Sequence, residues 1–320
     1  MSNSEHVLVT GGAGFIGSHL VERLLGDGNS VTVIDDCSTG SLENLHQVRL
    51  DPRLRVIQSK VSECGALATI VSESSSVFHL AAAVGVELVV NSPIRTIHTN
   101  LRETEAVLEA ASQRGVPILL TSTSEVYGKS QKPSFSEDDD LLIGPPHLGR
   151  WSYACSKLMD EFLAMAYARE RKLPVIVARL FNTVGPRQTG RYGMVLPRFI
   201  AAAKTGQPLK VYGDGRQSRC FCHVGDTVEA LVRLQTCKAA RNEIFNVGST
   251  EEISILELAE LVVRTLGSAS SLEYIPYDTA YAPGFEDMLR RRPAIDKLKN
   301  ATGFTPRARL PEMIRLAASM

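Results

Sequence analysis

The stretch HVLVTGGAGFIGSHLVERLLGDG, residues 6–28, decides the fold. Its opening residues form a short apolar run of the kind that makes a buried strand, and from Gly14 onward the apolar residues recur at helical spacing until a glycine stops them. In the turn between, Gly12, Gly14 and Gly17 satisfy G-x-G-x-x-G, and Gly11, Gly14 and Gly17 also satisfy G-x-x-G-x-x-G. Glycines there let the backbone approach a pyrophosphate, and the helix N-terminus offers N–H groups and a favourable dipole. A tight strand–helix turn alone can carry such a pattern. Here the next strand, SVTVIDD (30–36), ends in Asp35, where a carboxylate would accept from a ribose 2′-OH and repel a 2′-phosphate. No arginine occupies IDDCSTG (34–40), so NAD is expected over NADP. Asp36 either shares that role or faces solvent.

Further apolar runs follow: LRVIQS (54–59), SVFHLAA (76–82), PILLTST (117–123) and PVIVARLFN (174–182). Between them lie helix-period stretches, RTIHTNLRETEAVLEAASQRG (95–115) and YACSKLMDEFLAMAYARERK (153–172). This alternation predicts a parallel sheet covered on both faces. After residue 185 the pattern loosens into loop, a helix at 194–206 and a strand and turn at 208–215, before DTVEALVRLQ (226–235) and EIFNVGS (243–249) resume the first style. The expected fold is α/β: a Rossmann-type doubly wound sheet over 1–185, with 223–250 returning to it, and a smaller, discontinuous α/β domain from 186–222 and 251–320. SEDDDLL (136–142) reads as a solvated charged loop.

Of 320 residues 44% are apolar, enough for a sizeable core, and 35 basic residues balance 35 acidic ones. That balance argues against nucleic acid or an anionic membrane as a bulk electrostatic partner. Six scattered cysteines lack the spacing of a metal site, so reduced thiols and no metal are expected. The first residues show no signal-peptide pattern, and no apolar run approaches the ~20 residues that span a bilayer. A soluble, cytoplasmic protein is expected.

In SYACSK (152–157), Tyr153 and Lys157 are spaced i, i+4 and share a helix face. A free phenol has a pKa near ~10, but a neighbouring ammonium and a cationic nicotinamide favour its anion. Such a pair can move a proton while NAD takes a hydride. Tyr and Lys at this spacing are common on helices. The glycine turn before them, and the hydroxyl-rich strand end TSTSE (121–125), make the pair informative.

TGGAGFIG, Asp35, HLAA, TSTSEVYG, YACSK, RLFNTVGPR, VYGDGRQSRCF and RRRP together resemble the extended short-chain dehydrogenase/reductases, specifically the nucleotide-sugar epimerase/dehydratase/decarboxylase group. The motifs spread over nearly the whole chain. The resemblance implies a catalytic set of Tyr153 as base, Lys157 as its partner, Thr123 as the hydroxyl on the sugar O4, and Ser124 and Glu125. It implies cofactor contacts from Gly11, Gly14, Phe15, Ile16 and Gly17, from Asp35, Asp36, Ser38, Thr39 and Gly40, from Leu80, Ala81, Ala82 and Asn100, and from Tyr153 and Lys157. It implies substrate contacts from Asn182, Arg187, Arg191, Val195, Tyr212, Arg219 and Arg291. Arg219 and Arg291 resemble diphosphate-binding arginines, and Arg291 also an arginine proposed as proton donor near C5. Arg187 and Arg191 could equally be surface charges.

Two positions depart from the pattern. Lys60 stands near where such enzymes carry an Asp beside the adenine amino group, so cofactor affinity is altered or Ser59 or Ser62 supplies the contact. Glu103 stands where a glycine is usual, so helix packing there should differ.

The resemblance implies a first step in which Tyr153 takes the O4 proton and C4 is oxidised to a ketone. A 4-epimerase then needs no acid near C5. A 4,6-dehydratase needs an acid/base pair, an Asp–Glu in relatives, and this chain has Ser124–Glu125. Thr-Ser-Glu resembles the UDP-glucuronate decarboxylases, so conversion of UDP-glucuronate to UDP-xylose is the preferred reading. A UDP-sugar 4-epimerase is the alternative, since AAAVGVELVV after the fourth strand looks more like an epimerase. Glu125 could also cap a turn or pair with an arginine. A non-catalytic NAD-binding sensor ranks lower, because such relatives usually lose the tyrosine or the lysine. Relatives dimerise through helices corresponding to ETEAVLEAA and DEFLAMAYA, so a homodimer is expected.

Overall fold

A computed structural model describes residues 4–85, 91–189, 194–276 and 288–319. The central sheet comprises β1 (His6–Thr10), β2 (Ser30–Asp35), β3 (Leu54–Gln58), β4 (Ser76–His79), β5 (Ile118–Thr123), β6 (Val175–Leu180) and β11 (Glu243–Val247), in spatial order β11-β6-β5-β4-β1-β2-β3. Every pairing in it is parallel. Side chains alternate between its faces. Val7 and Val9 join a core with α1 (Phe15–Gly26) and α6 (Val224–Thr236), whereas Leu8 joins another with α2 (Leu67–Glu73), α3 (Pro93–Ser112) and α4 (Trp151–Arg171). That two-sided burial is why the strands read as continuous apolar runs.

From β1 the chain winds one way to β2 and β3, then crosses to β4 and winds the other way. The strand order therefore reverses between β1 and β4, and a crevice opens there beyond the carboxyl ends of the strands.

A second, smaller core holds α5 (Val195–Thr205), α7 (Ile255–Leu266) and α9 (Leu310–Ala318). With it go two short sheets: β8 (Leu209–Tyr212) parallel to β13 (Leu272–Ile275), and β9 (Ser218–Cys220) antiparallel to β12 (Glu252–Ser254). A reciprocal capping box between Ser254 and Glu257 starts α7. Between these segments β10 (Cys222–His223) pairs with β7 (Thr183–Val184), and α6 and β11 return to the first core. The chain also comes back late: α8 (Asp296–Thr302) packs on α6 and β11, with Leu298 and Phe304 inside the first core.

The run 136–142 is less solvated than its charge suggests. The Glu137 carboxylate accepts from the Asn246 backbone N–H at 2.8 Å, and the Glu137 carbonyl accepts from Arg179. Burial pushes the Glu137 carboxyl above its usual range, opposed by that N–H. A partly satisfied acid can be drawn under a sheet edge where N–H donors and a guanidinium await it.

Candidate active site

A cleft of about 1300 Å³ runs along the carboxyl ends of the strands and under the second core. That exceeds the ~300–1,000 Å³ of an ordinary single-ligand pocket. At its centre is the glycine turn. Gly11 has φ +72°, and a Cβ there would lie 2.7 Å from the Ala81 nitrogen. A Cβ on Gly17 would lie 2.1 Å from the Gly11 carbonyl oxygen. Glycine is thus required for the turn to close against β1 and the segment after β4. Gly14 caps α1 with no side-chain hydrogen bond, and the first turn carries no acid. The leading N–H groups of α1 are left for an anion, and this fits a dinucleotide pyrophosphate.

Asp35, at the end of β2, is buried. One carboxylate oxygen accepts from the Ala13 N–H at 2.9 Å and the other from the Cys37 N–H at 2.8 Å. Each oxygen keeps acceptor capacity for a ribose hydroxyl. Burial pushes this carboxyl above its usual range, and the two N–H groups oppose that. Ser38, Thr39 and Gly40 follow, and the Asn44 amide and Ser41 N–H tie this segment to the Ala13 carbonyl.

At the other end of the cleft each hydroxyl of TSTSE has a partner or place. Thr121 donates to the His79 carbonyl at 3.2 Å, and Ser122 to Glu161 at 2.5 Å. Glu161 in turn forms a buried ion pair with Arg179 at 2.8 Å. Thr123 accepts from the Glu125 N–H at 3.2 Å and so caps the 3-10 turn Ser124–Tyr127. Ser124 is buried against the cleft. Beneath the turn, Tyr127, Phe135, Trp151 and Phe181 form a small aromatic core that fixes the end of β5.

Tyr153 sits in the first turn of α4, within hydrogen-bonding reach of the Thr123 side chain. Burial first, then Glu125 and Asp160, push its phenol above the ordinary value, and Thr123 and Arg291 oppose them. Lys157, one turn on, is buried and pairs with Asp160 at 2.8 Å, both side chains being 3% exposed or less. Asp160 itself is pushed up by burial and held down by Lys157 and Thr104. His79 lies behind: its ring bonds Thr10 at 2.7 Å and Thr104 at 3.2 Å. Burial and then the Lys157 charge push its pKa down to about 3, so it is neutral.

Glu125 meets Arg291 across 166 residues of sequence, Nη1 to Oε1, at 3.2 Å. Of the two structural roles open for Glu125 beside a catalytic one, turn cap or arginine partner, it has the partner, and both groups line the cleft beside Tyr153.

Nearly all the other expected residues line this cleft: Phe15, Ile16, Asp36, Leu80, Ala81 and Ala82 at the dinucleotide part, and Asn182, Arg187, Val195, Tyr212 and Arg219 towards the second core. Asn182 has φ +26° and its amide donates to the Cys220 carbonyl at 3.0 Å, stitching β6 to the second core. Arg187 pairs with Glu22 at 2.5 Å and donates to Ser18, which pins its loop to α1. Asn100 stands behind the cleft wall: it accepts from the Ala83 N–H at 2.8 Å and donates to Ser156 at 2.9 Å. Arg191 lies outside the described residues.

Two residues, one lining the cleft and one behind it, were not foreseen from the sequence. Arg150 is buried, lines the cleft and packs against the Trp151 ring. Its signal was its place just before Tyr153. Asp160 is the counter-ion of Lys157, and its i, i+3 spacing from that lysine was readable.

A family model described as GDP-mannose 4,6 dehydratase matches residues 8–317. The chain belongs to that family. Within this dehydratase-named family it is 41% identical over 300 residues to a UDP-N-acetyl-alpha-D-glucosaminuronate decarboxylase of Bacillus cytotoxicus, covering 93% of this chain and 92% of that protein. It is 38% identical over 307 residues to UDP-glucuronic acid decarboxylase 1 of Arabidopsis thaliana, covering 96% of this chain and 67% of that one. Among solved structures it is similar to a UDP-glucuronic acid 4-epimerase of Bacillus cereus in complex with UDP-glucuronic acid and NAD, with TM-score 0.88, 26% identity and 98% of each chain covered. The protein is thus an enzyme of this family, and its cofactor is NAD.

Proposed function

We propose that the enzyme decarboxylates a UDP-linked hexuronic acid through a 4-keto intermediate, converting UDP-glucuronate to UDP-xylose. The observation that carries this reading is the Glu125–Arg291 pair beside Tyr153 and Thr123. An epimerase has no need of an acid and a cation at C5. A dehydratase needs a second acid where Ser124 stands. The decarboxylase relatives point the same way.

Bound NAD supplies a reversible hydride acceptor at C4. Tyr153 takes the O4 proton, with Thr123 holding that oxygen and the buried Lys157 cation favouring the phenolate. The C4 ketone is then β to the C6 carboxylate. The C5–C6 bond breaks, CO₂ leaves, and the electron pair moves into an enolate whose O4 is stabilised by the Tyr153 hydroxyl and Thr123. Arg291 holds the C6 carboxylate, and a solvent proton relayed by Glu125 is delivered to C5. C4 then takes its hydride back and Tyr153 returns the proton to O4, which gives UDP-xylose. Arg219 binds the diphosphate through its guanidinium, and Asn182, Val195 and Tyr212 complete the substrate wall. We take the sheet with its returning segments as the dinucleotide domain and the second core as the substrate domain.

A second reading concerns C2. The 41% identity to an N-acetylglucosaminuronate decarboxylase favours a 2-acetamido uronate. Incubation with UDP-glucuronate and, separately, UDP-N-acetylglucosaminuronate should release CO₂ and give a UDP-pentose by NMR from one of them. A C4 epimer of unchanged mass would sink decarboxylation.

We also propose a cytoplasmic homodimer. All six thiols are free, and among the described residues no helix is long and apolar enough to cross a membrane. On α4, Met159 and Phe162 are 51% and 65% exposed, and Ile94 on α3 is 75% exposed. Exposed apolar side chains on these two packed helices suit burial against a second copy. Sedimentation at micromolar concentration should give twice the 34.8 kDa chain mass, and a lone monomer would refute this.

A further inference from the structure

We infer that Glu103, from α3, is the group that recognises the adenine amino group of NAD. β3 lies beside β2, with Gln58 opposite Asp35, so the chain after β3 floors the cleft just beyond the ribose carboxylate. The base of a dinucleotide whose ribose sits on Asp35 must rest on Ser59, Lys60 and Val61, all of which line the cleft. Adenine presents an exocyclic amine there, which needs an acceptor.

The side chains of that floor provide no charged acceptor, only serine oxygens that keep neutral lone pairs after donating. Ser59 donates to the Lys60 carbonyl at 2.9 Å. Lys60 has only donors, and its ammonium pairs with Glu63 at 2.5 Å on the exposed side of the loop. Ser62 donates to Glu103 at 2.6 Å. Glu103 is different. It is 5% exposed yet lines the cleft, reaching across from α3 to the floor. Its two oxygens are held by the Ser62 N–H at 3.0 Å and the Ser62 hydroxyl, so the carboxylate is fixed in place. Each oxygen still has a lone pair for an amine. The two departures noted in the sequence, a lysine at 60 and an acid at 103, thus meet at one end of one cleft. The acceptor comes from the helix instead of the loop.

This inference rests on NAD as cofactor, and the test separates the two. The full chain, freed of nucleotide, is titrated calorimetrically with NAD and with nicotinamide hypoxanthine dinucleotide, whose 6-carbonyl replaces the amine. A charge-assisted bond predicts that wild type prefers NAD by about 10-fold or more. Glu103→Ala should lose that preference to within about 2-fold, chiefly by weaker NAD binding. Glu103→Gln keeps the shape and adds a donor, so it should shift preference towards the hypoxanthine analogue. An Ala variant that keeps the wild-type ratio, or that weakens both dinucleotides equally, would overturn the assignment and leave Glu103 as a brace for the loop. A wild type that binds neither dinucleotide would overturn the cofactor reading with it.

Discussion

The two ends of the cleft are built by opposite kinds of pairing. At the sugar end, Glu125 and Arg291 come from elements 166 residues apart, and they meet in a half-open cleft with side chains 18% and 12% exposed. At the adenine end, Ser62 and Glu103 join the chain just after β3 to α3, and the carboxylate is held by two bonds. The first pair is partly reachable by solvent, and in the proposed reaction it faces the carbon that gains a proton. The second is rigid and placed only to recognise. Position in a shared cleft does not set a carboxylate's work. The group it faces across the cleft does.

The largest test of that contrast is chemical. Tyr153→Phe should lower turnover by about 100- to 10,000-fold while NAD affinity stays near wild type. Full turnover in this variant, measured as CO₂ release, would mean that the sugar end is not a catalytic centre at all. Next, Glu125→Gln should cut CO₂ release by about 100-fold or more but allow oxidation at C4. Reduced nicotinamide should then accumulate in the near-ultraviolet spectrum. A variant with wild-type CO₂ release would make Glu125 as passive as a brace.

The smallest effect concerns pH. Asp160 raises the Tyr153 pKa, so removing its charge favours the phenolate. Losing the counter-ion of Lys157 acts in the same direction. Asp160→Asn should therefore move the acidic limb of kcat/KM to lower pH by up to about one unit. A limb that moves to higher pH would show that Asp160 serves only to place the lysine.

The glycine turn, the acid closing β2 and the Tyr-Lys helix were legible because each is local: strand, turn and helix follow within one unit of chain. That the sheet is parallel and covered on both faces was legible from alternation. What stayed hidden were contacts between distant segments. Glu103 read as a packing anomaly on its helix, and Lys60 as a lost contact, because periodicity reports which face a residue takes and not what stands opposite it. The same holds for Glu137, whose place in a charged run hid the Asn246 N–H that fixes it. The packing of 296–304 on the first core was hidden as well, since Leu298 and Phe304 carry no mark of which core they fill.

One feature of the chain's path sets an order of assembly. β11 closes the edge of the central sheet from residue 243 onward, after a long excursion through the second core, and Arg291 arrives later still. Closing so long a loop costs conformational entropy before any contact returns it. During synthesis, from the N-terminus, the glycine turn, Asp35 and Tyr153 all precede these late partners. A growing chain therefore holds the makings of its dinucleotide cleft while Glu125 still lacks its guanidinium, and the reactive end of the molecule is the last part to exist.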